Sequence, residues 1–342
     1  MNTNKKIAFC TGITGMSGSI MAEILLEKGY KVHGLLRRSA TFNTQNIDHI
    51  FDKLDLHHGD ITDAMSLFNI INAIKPTEIY NFCAMSHVKV SASIENYTIQ
   101  TNTIGVLNLL QAVRMAGLEK TCRIYQANTS ETFGNQTDGI LKLNENSPRC
   151  PVSIYGISKN AANDICDMYR KAYNMFIVSS TLFNHEHERR GATFVTQKIA
   201  NYVGKYNKNT KPLQIGNLNS LRDWSYAKDF MDCVFLMLQQ KTPEDFVLAS
   251  GECHSVREFI ELAFKEINIT IKWEGIGINE IGKNSQDNHI LVEVNPKYFR
   301  DLELHALIGD STKARELLGW SPQTTFKEIV SKMVTSSINK NS

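Results

Sequence analysis

The chain lacks an excess of charge of either sign. Its 342 residues include 37 lysines and arginines against 35 aspartates and glutamates, which gives a formal net charge of +2. Nucleic-acid-binding domains usually carry a basic face, so this balance argues against a nucleic-acid partner. An anionic ligand must then be held by a few placed residues. Hydrophobic residues make up 42% of the chain, which is enough for one large α/β unit or two adjoining domains.

Paired cysteines and long apolar runs are also missing. The seven cysteines never approach the CxxC spacing that is typical of zinc sites and redox pairs, so we expect buried, reduced thiols. No apolar run approaches the ~18 residues of a membrane-spanning helix. The first residues lead straight into a strand without a leader-like stretch. These absences predict a cytoplasmic protein with no membrane partner.

Short apolar runs alternate with helical patterns from the beginning of the chain. The strand-like runs include KIAFCTG, KVHGLL, LDLHHGD, TEIYNFCA and CRIYQA. Such alternation is typical of βαβ units. It predicts an α/β fold whose first domain, residues 1–185, is a Rossmann-type, doubly wound parallel sheet.

The pattern changes in the second half of the chain. After about residue 186 the elements become shorter and polar loops separate them. This predicts a smaller C-terminal α/β lobe, residues 186–342, that binds the substrate and is interleaved with the last strands of the first domain. Within the lobe, the glycine- and asparagine-rich segment GIGINEIGKNSQ at 275–286 predicts a loop.

A glycine-rich turn lies between the first strand and the first helix. The string TGITGMSG places Gly12, Gly15 and Gly18 where a tight turn, a close backbone approach and helix-strand packing require them. A pyrophosphate would then meet the helix N-terminus. We interpret the turn as a dinucleotide-binding site; a merely tight strand-helix turn is the alternative when the motif is taken alone. The GxxGxxG spacing resembles that of short-chain dehydrogenases/reductases.

The residues after the second strand select between the two nicotinamide cofactors. An acidic residue is expected there for a free ribose 2′-hydroxyl, but the strand KVHGLL ends in Arg37 and Arg38. Two guanidinium groups favour a 2′-phosphate, so the sequence predicts NADP, with an exposed basic turn as the alternative. Asp60, after the third strand, is a candidate partner for the adenine amino group.

A tyrosine and a lysine lie four residues apart on a predicted helix. In YGISK, Tyr155 and Lys159 share one helix face, where a nearby ammonium would lower the pKa of the phenol and make it a base. Thr129 ends a strand upstream and provides a hydroxyl. Glu131, two positions later, adds a carboxylate that suggests a second proton transfer.

Motifs over nearly the whole chain resemble those of the GDP-mannose 4,6-dehydratase family of extended short-chain dehydrogenases/reductases. They are TGITG at 11–15, LLRRSATFNT at 35–44, YNFCAMSHVKVS at 80–91, YQANTSETFG at 125–134, YGISK at 155–159, LFNHEHERRGATFVTQKI at 182–199, GNLNSLRDWSYAKDF at 216–230, NPKYFR at 295–300 and DSTKARELLGW at 310–320. The block from 182 to 199 is specific to this family. The other motifs in the set include some that the wider superfamily shares.

The resemblance implies a hydro-lyase reaction on GDP-mannose that consumes no cofactor. Tyr155 would take the proton of the sugar 4-hydroxyl while NADP accepts the hydride from carbon 4, with Thr129 bonded to that oxygen. Glu131 would remove the hydrogen of carbon 5 and protonate the departing 6-hydroxyl, and the hydride would return to carbon 6. The product, GDP-4-keto-6-deoxymannose, begins the synthesis of deoxysugar nucleotides such as GDP-fucose or GDP-rhamnose.

The resemblance also implies the remaining contacts and an assembly. The cofactor residues would be Gly12, Ile13, Thr14, Gly15, Met16, Ser17, Gly18, Arg37, Arg38, Ser39, Asp60, Ile61, Phe82, Ala84, Ser86, Tyr97, Tyr155, Lys159, His185 and Arg190. The substrate residues would be Ser86, Thr129, Asn184, Lys198, Arg222, Arg300 and Glu303. Residues 37–44 resemble a loop that contacts a neighbouring subunit, so we expect a homo-oligomer, either a dimer or a tetramer. The string NHEHERR lacks a metal-ligand register, and no metal is predicted.

Several positions depart from the family pattern. The family usually has serine at Asn128, glutamine at Met85, proline at Ile154 and Asp301, and Ser-Pro at 187–188, where this chain has His-Glu. We expect Asn128 and Met85 to lie near the active site, and His187, Glu188 and Asp301 to lie near the nucleotide-sugar site, where they would affect affinity and sugar selectivity. One alternative is another nucleotide-sugar dehydratase or an epimerase, although an epimerase has no use for an acid at 131. A non-catalytic NADP-binding sensor is the other, and it predicts loss of the tyrosine or the lysine.

Overall fold

The computed structural model describes residues 6–135, 142–299 and 306–341. Its largest sheet has seven parallel strands in the order β12-β7-β5-β4-β1-β2-β3. The strands are β1 (Ile7–Thr11), β2 (Lys31–Leu36), β3 (Leu54–His58), β4 (Glu78–Asn81), β5 (Arg123–Thr129), β7 (Phe176–Leu182) and β12 (Phe246–Leu248). The strand order reverses between β1 and β4, which confirms the predicted doubly wound fold. Ligands bind outside the carboxyl ends of the strands at such a reversal.

Helices cover both faces of this sheet. One face packs against α1 (Met16–Glu27), α8 (Ala227–Leu238) and α10 (Thr312–Leu318), and the other against α2 (Ala64–Ile74), α5 (Gly105–Met115) and α6 (Ile154–Tyr173). Because successive side chains of a strand point to opposite faces, Tyr125 of β5 lies in the first core and Ile124 in the second. A strand buried on both sides needs the continuous apolar run that the sequence contains.

An irregular helical segment precedes α5 and reaches the carboxyl end of β4. It consists of α3 (Val88–Ser91), α4 (Glu95–Ile99) and a π-helical turn, Gln100–Ile104. Asn102 in this turn donates from Nδ2 to Met85 O (3.1 Å) and to Ser158 Oγ of α6 (3.0 Å), and it accepts from Met85 N at 2.8 Å. The π-helical turn therefore fixes the loop after β4 against α6.

The second half of the chain forms a lobe with its own core. Helices α7 (Val195–Gly204), α9 (Val256–Lys265) and α11 (Phe326–Asn339) pack with a sheet of β9 (Leu213–Ile215), β14 (Ile271–Glu274), β15 (Ile281–Asn284) and β16 (Ile290–Val294). Smaller sheets comprise β6 (Lys142–Leu143), β10 (Leu221–Arg222), β13 (His254–Ser255) and β17 (Ala306–Gly309), and the pair β8 (Asn184–Glu186) and β11 (Trp224–Tyr226). Short 3-10 turns occur at Asp48–Lys53, Ser130–Phe133, Gly277–Asn279 and Pro296–Tyr298.

Two features of the lobe bear on the sequence predictions. Strand β12 and helix α8 follow residue 186 but belong to the first sheet and its cover; the 185/186 domain boundary stays a prediction. The predicted loop at 275–286 is wrong, because β15 occupies Ile281–Asn284 and pairs with both β14 and β16.

Over the described parts of the chain, no helix combines the length and the apolar character needed to cross a membrane. All seven cysteines are free thiols.

Candidate active site

A cleft of about 1320 Å³ opens at the carboxyl ends of the central strands, between the first sheet and the lobe. It brings together most of the residues that the sequence predicts. The predicted residues that line it are Gly12, Thr14, Gly15, Met16, Ser17, Gly18, Arg37, Asp60, Ile61, Phe82, Ala84, Ser86, Tyr97, Thr129, Glu131, Tyr155, Lys159, Asn184, His185, Arg190, Lys198 and Arg222. The predicted residues Ile13, Arg38 and Ser39 are not part of its lining, and Arg300 and Glu303 lie outside the described residues.

The glycine turn forms one end of the cleft. Gly12 has a φ of +67°, and a Cβ atom there would lie 3.0 Å from the backbone of Phe82 and Cys83. Gly15, which precedes α1, provides no side-chain cap, and the first N–H groups of a helix have no acceptor within it. A close-packed backbone without side chains, at the start of a helix whose first N–H groups lack helical acceptors, fits the pyrophosphate of a dinucleotide.

His185 supports this turn from the lobe side. Burial lowers the pKa of His185 to about 4, so its ring is neutral at pH 7. Its Nδ1 lies 3.0 Å from Phe183 O and must carry the hydrogen, because a carbonyl only accepts. Its Nε2, 3.0 Å from Ser17 Oγ, therefore accepts a hydrogen bond from that serine. The histidine thus fixes the hydroxyl of the first turn of α1.

Two arginines follow β2 at the edge of the cleft. Arg37 donates to Tyr97 OH at 2.6 Å, and Arg38 donates to the backbone oxygen of Ser39 at 2.6 Å. Asp60, which follows β3, accepts hydrogen bonds from the backbone N–H and the hydroxyl of Thr62. Arg37 and Asp60 line the cleft, whereas Arg38 is exposed beside it.

The predicted catalytic residues meet where β5 ends and α6 begins. Thr129 is the last residue of β5, and its Oγ1 accepts from the N–H of Glu131 at 3.3 Å in the turn that follows. Helix α6 begins beside this turn, capped by Ser153, with Tyr155 and Lys159 on its buried face. A Cβ atom on Gly156 would lie 2.8 Å from Glu131 O. Glycine therefore permits the approach that places the tyrosine next to the threonine.

The electrostatics of the pair differ from the sequence-based expectation. Burial raises the pKa of Tyr155 to about 12, although the hydrogen bond with Thr129 and the charge of Arg190 lower it; Glu131 raises it. Burial lowers the pKa of Lys159 to about 8, and its Nζ donates to Ala127 O at 2.7 Å. The expected net lowering of the tyrosine pKa by Lys159 is thus wrong for this geometry, because desolvation of the phenol outweighs the neighbouring charges.

Polar side chains from the lobe form the opposite wall of the cleft. Arg222 on β10 is 8% exposed and donates to Leu221 O at 2.7 Å. Lys198 on α7 donates to Gln214 O at 2.6 Å and stands over the ring of Tyr298 at 3.6 Å. Two cations on one wall suit a diphosphate.

Sequence reasoning missed Glu186, a buried carboxylate on this wall. It accepts from Thr196 Oγ1 at 2.6 Å and lies 3.3 Å from Arg190 Nε, and burial raises its pKa. The ion pair holds Arg190 near Tyr155. The sequence signal for Glu186 is its position in NHEHERR, a string whose histidines and glutamates first suggest metal ligands. Within the described residues, no group of three His, Cys, Asp or Glu side chains is arranged to hold a metal ion.

Five of the departures from the family pattern can be located, and Asp301 lies outside the described residues. Ile154 is the first residue of α6. Asn128 and Met85 line the cleft. His187 and Glu188 do not; they lie at a separate surface pocket, where the His187 ring stacks on Tyr226 at 5.1 Å. Their expected effect on the nucleotide-sugar site is therefore not supported by direct contact.

Known proteins resemble this chain over nearly its whole length. A family model described as GDP-mannose 4,6 dehydratase matches residues 9–333. The GDP-mannose 4,6 dehydratase of Drosophila melanogaster is 46% identical, with 98% of this chain and 87% of that protein covered; the Homo sapiens protein of that name is also 46% identical, with 98% and 92% covered. Thermus thermophilus UDP-glucose 4-epimerase, solved in complex with NAD, shares the fold at a TM-score of 0.80 and 24% identity, with 97% and 98% covered.

Proposed function

The chain belongs to the GDP-mannose 4,6-dehydratase family, and on that premise we propose that it is a hydro-lyase that converts GDP-mannose to GDP-4-keto-6-deoxymannose and water, with NADP as a bound, recycled cofactor. One observation carries the proposal. A carboxylate, Glu131, lies on the short turn that follows Thr129, close to Tyr155 of α6, and all three residues line one cleft. An epimerase needs the threonine and the tyrosine but has no task for that carboxylate.

Tyr155 is the base for the sugar 4-hydroxyl. Its phenol is buried, bonded to Thr129 and close to the charge of Arg190, and the last two stabilise the phenolate. With substrate bound, the single hydroxyl hydrogen of Thr129 turns from the phenol to the substrate oxygen and keeps that oxygen aligned with the phenol. When bound, NADP supplies the acceptor for the hydride of carbon 4 and later its donor for carbon 6.

Glu131 carries the elimination. A ketone at carbon 4 acidifies the hydrogen on carbon 5, and the carboxylate takes that proton. The protonated acid then gives the proton to the oxygen on carbon 6, so that the carbon–oxygen bond breaks and water leaves. The half-buried position of Glu131 at the cleft suits a group that first accepts and then returns one proton.

The cofactor and substrate assignments rest on charge. Arg37 and Arg38 together support the 2′-phosphate of NADP over the free hydroxyl of NAD. Lys198 and Arg222 on the opposite wall support a nucleoside diphosphate sugar. We assign the end of the cleft near Arg37 and Arg38 to the adenosine of NADP. We assign the wall with Lys198 and Arg222 to GDP-mannose.

The assembly and the place of action are parts of the same proposal. In the segment 37–44, the side chain of Phe42 is 97% exposed, and a large apolar side chain so exposed on a loop suits burial against a second copy. We propose a dimer or tetramer that works in the cytoplasm, at the start of GDP-deoxysugar synthesis. A monomeric sedimentation profile would contradict the assembly.

The test is to incubate the purified protein with GDP-mannose and no added cofactor, and to follow the mass of the sugar nucleotide. Loss of one water per molecule is expected, because the cofactor stays bound and is recycled. UDP-glucose, tested in parallel, examines the epimerase and other dehydratase alternatives. If GDP-mannose stays unchanged even with NADP supplied, the proposed function is wrong.

A further inference from the structure

A chain of hydrogen-bonded side chains crosses the three central strands directly below the cleft. Thr11, the last residue of β1, donates from Oγ1 to Asn81 Oδ1 at the end of β4. Asn81 Nδ2 donates to Gln126 Oε1 of β5 at 2.6 Å, and Gln126 Nε2 donates to Ala127 O at 2.8 Å. Thr11 and Asn81 have no exposed surface, and Gln126 is 2% exposed. A fully bonded polar chain at this depth fixes its members in place.

The chain ends on the carbonyl that also holds Lys159. Lys159 Nζ donates to Ala127 O at 2.7 Å, beside the 2.8 Å contact from Gln126. A carbonyl oxygen has two lone pairs, and these two donors use both. The position of the ammonium group therefore depends on an oxygen whose second bond comes from Gln126.

The direction of every bond in the chain is determined. The Thr11 hydroxyl accepts from Cys83 N at 3.3 Å, which turns its hydrogen toward Asn81. The asparagine must then present its oxygen to Thr11 and its nitrogen to Gln126. Gln126 in turn must present its oxygen to Asn81 and its nitrogen to Ala127. A flipped glutamine would bring two oxygens together at Ala127, so the upstream residues lock the amide that faces the lysine carbonyl.

We propose that Gln126, held by Asn81 and Thr11, is a positioning residue that sets the location and proton affinity of Lys159 through the Ala127 carbonyl. Because Thr11 immediately precedes the glycine turn, the same chain links the cofactor end of the cleft to the catalytic helix. This inference rests on the proposed function only in that Lys159 shares the buried face of α6 with Tyr155, the proposed base. The YGISK pattern predicts Lys159 but none of the residues in this hydrogen-bonded chain. Those residues are brought together only by the pairing of β1, β4 and β5.

The groups that face Lys159 leave its titration readable. Cys83, after β4, and Cys166, on α6, are the titratable groups that act on it. Burial raises the pKa of Cys83 to about 11 and that of Cys166 to about 12, and Tyr155 on the same helix is also near 12. All three stay uncharged while Lys159 titrates near 8. A change in that midpoint therefore reports on the carbonyl contact.

The test compares Gln126→Met with Ser180→Ala as a matched control. Methionine keeps the length of glutamine but removes its donor and its acceptor. Ser180 has no exposed surface and shares a 2.6 Å hydrogen bond with Tyr125 on the opposite face of the sheet. Ser180→Ala thus also removes one buried hydrogen bond, but the bond is to Tyr125, whereas the side chains that donate to Ala127 O are Gln126 and Lys159. Thr11→Val, which breaks the far end of the chain, tests the same inference if Gln126→Met does not fold.

Two readouts decide the inference. We expect kcat for water loss from GDP-mannose to fall at least about 10-fold in Gln126→Met, with KM changed less than about threefold, because a displaced catalytic group slows the chemical step. By NMR of isotope-labelled lysine, with the Lys159 signal assigned by its loss in Lys159→Met, the titration midpoint should move to higher pH by at least about half a unit. The reason is that the carbonyl, freed of its second donor, becomes a stronger acceptor for the ammonium.

Ser180→Ala should leave both quantities at their wild-type values, and Thr11→Val should shift both in the direction of Gln126→Met by a smaller amount. If the titration midpoint of Lys159 is unchanged or lowered in Gln126→Met, the inference is wrong. If Gln126→Met does not fold, the same result in Thr11→Val overturns it. The titration needs no turnover. If the wild-type protein fails to act on GDP-mannose, the proposed function falls while the lysine titration still tests the positioning role.

Discussion

Asn128 offers a stability test, because its buried amide forms no hydrogen bond with any residue that the structure describes. The side chain is 4% exposed, and within the described ranges neither its Nδ2 nor its Oδ1 atom is paired. An unpaired buried donor or acceptor costs about 1–3 kcal/mol. Serine, which the family usually has at this position, carries one hydroxyl that rotates to find an acceptor. We therefore expect Asn128→Ser to stabilise the folded protein.

The size of the gain is set by two opposing effects. Relief of the unpaired amide contributes about 2 kcal/mol. The shorter serine leaves roughly 25 Å³ of space, which costs about 0.6 kcal/mol at ~24 cal/mol per Å³. The net expectation is an increase of about 1.5 kcal/mol in the free energy of unfolding.

Urea unfolding followed by circular dichroism measures this difference. The midpoint should rise while the denaturant slope stays constant. Asn128→Asp is the matched control: it keeps the size but buries an unpaired carboxylate, so it should lower the stability by several kcal/mol. An Asn128→Ser protein that is less stable than the wild type by about 1 kcal/mol or more would refute the reasoning, since the amide must then have partners that stabilise it.

Four further outcomes are expected from the site. Glu131→Gln should still oxidise carbon 4 but lose water at least about 10²-fold more slowly, which appears as accumulated reduced nicotinamide in absorbance; full dehydration by this variant would remove Glu131 from its role. Replacing Arg37 and Arg38 by alanine should weaken NADP at least about 10-fold in calorimetry and leave NAD unchanged; equal losses would contradict the 2′-phosphate assignment. Gly156→Ala should lower kcat at least about 10-fold in a protein that still folds, because its Cβ would press on Glu131 O from 2.8 Å; wild-type kcat would contradict the close approach. Because the pKa of Lys159 falls from 10.5 to about 8 on folding, the unfolded chain binds more protons between these values. The unfolding free energy should thus rise with pH in that window, and it should rise less in Lys159→Met. Identical slopes of unfolding free energy against pH in the two proteins would contradict the lowered pKa of Lys159.

Local patterns were enough to predict residues of one turn and one helix that the structure places at the cleft. The glycine turn and the Tyr155–Lys159 pair each depend on spacing within a few residues, and both face the cleft. The bond from Lys159 to Ala127 O depends instead on how α6 packs against β5. Likewise, the pKa of Tyr155 depends on burial that neighbours distant in sequence create. Such properties arise from tertiary packing and have no short-range signal.

The main error in the fold prediction has a related cause. Glycine and asparagine between 275 and 286 are typical of loops, but β15 lies there and is paired on both sides. Its register shifts between Gly282 and Lys283, and Gly282 lies against the ring of Trp273, where a Cβ atom would be 2.9 Å from the ring. A glycine in a strand often marks such a bulge or close contact. Pairing with distant strands outweighed the local preference.

The most direct test of the central claim follows one hydrogen through the reaction. GDP-mannose that carries deuterium at carbon 4 is incubated with the purified protein, and the product is analysed by NMR and mass spectrometry. Internal hydride recycling predicts that the deuterium reappears at carbon 6 of a product that has lost one water. Deuterium that stays at carbon 4, or is lost to solvent, would contradict the proposed dehydratase mechanism.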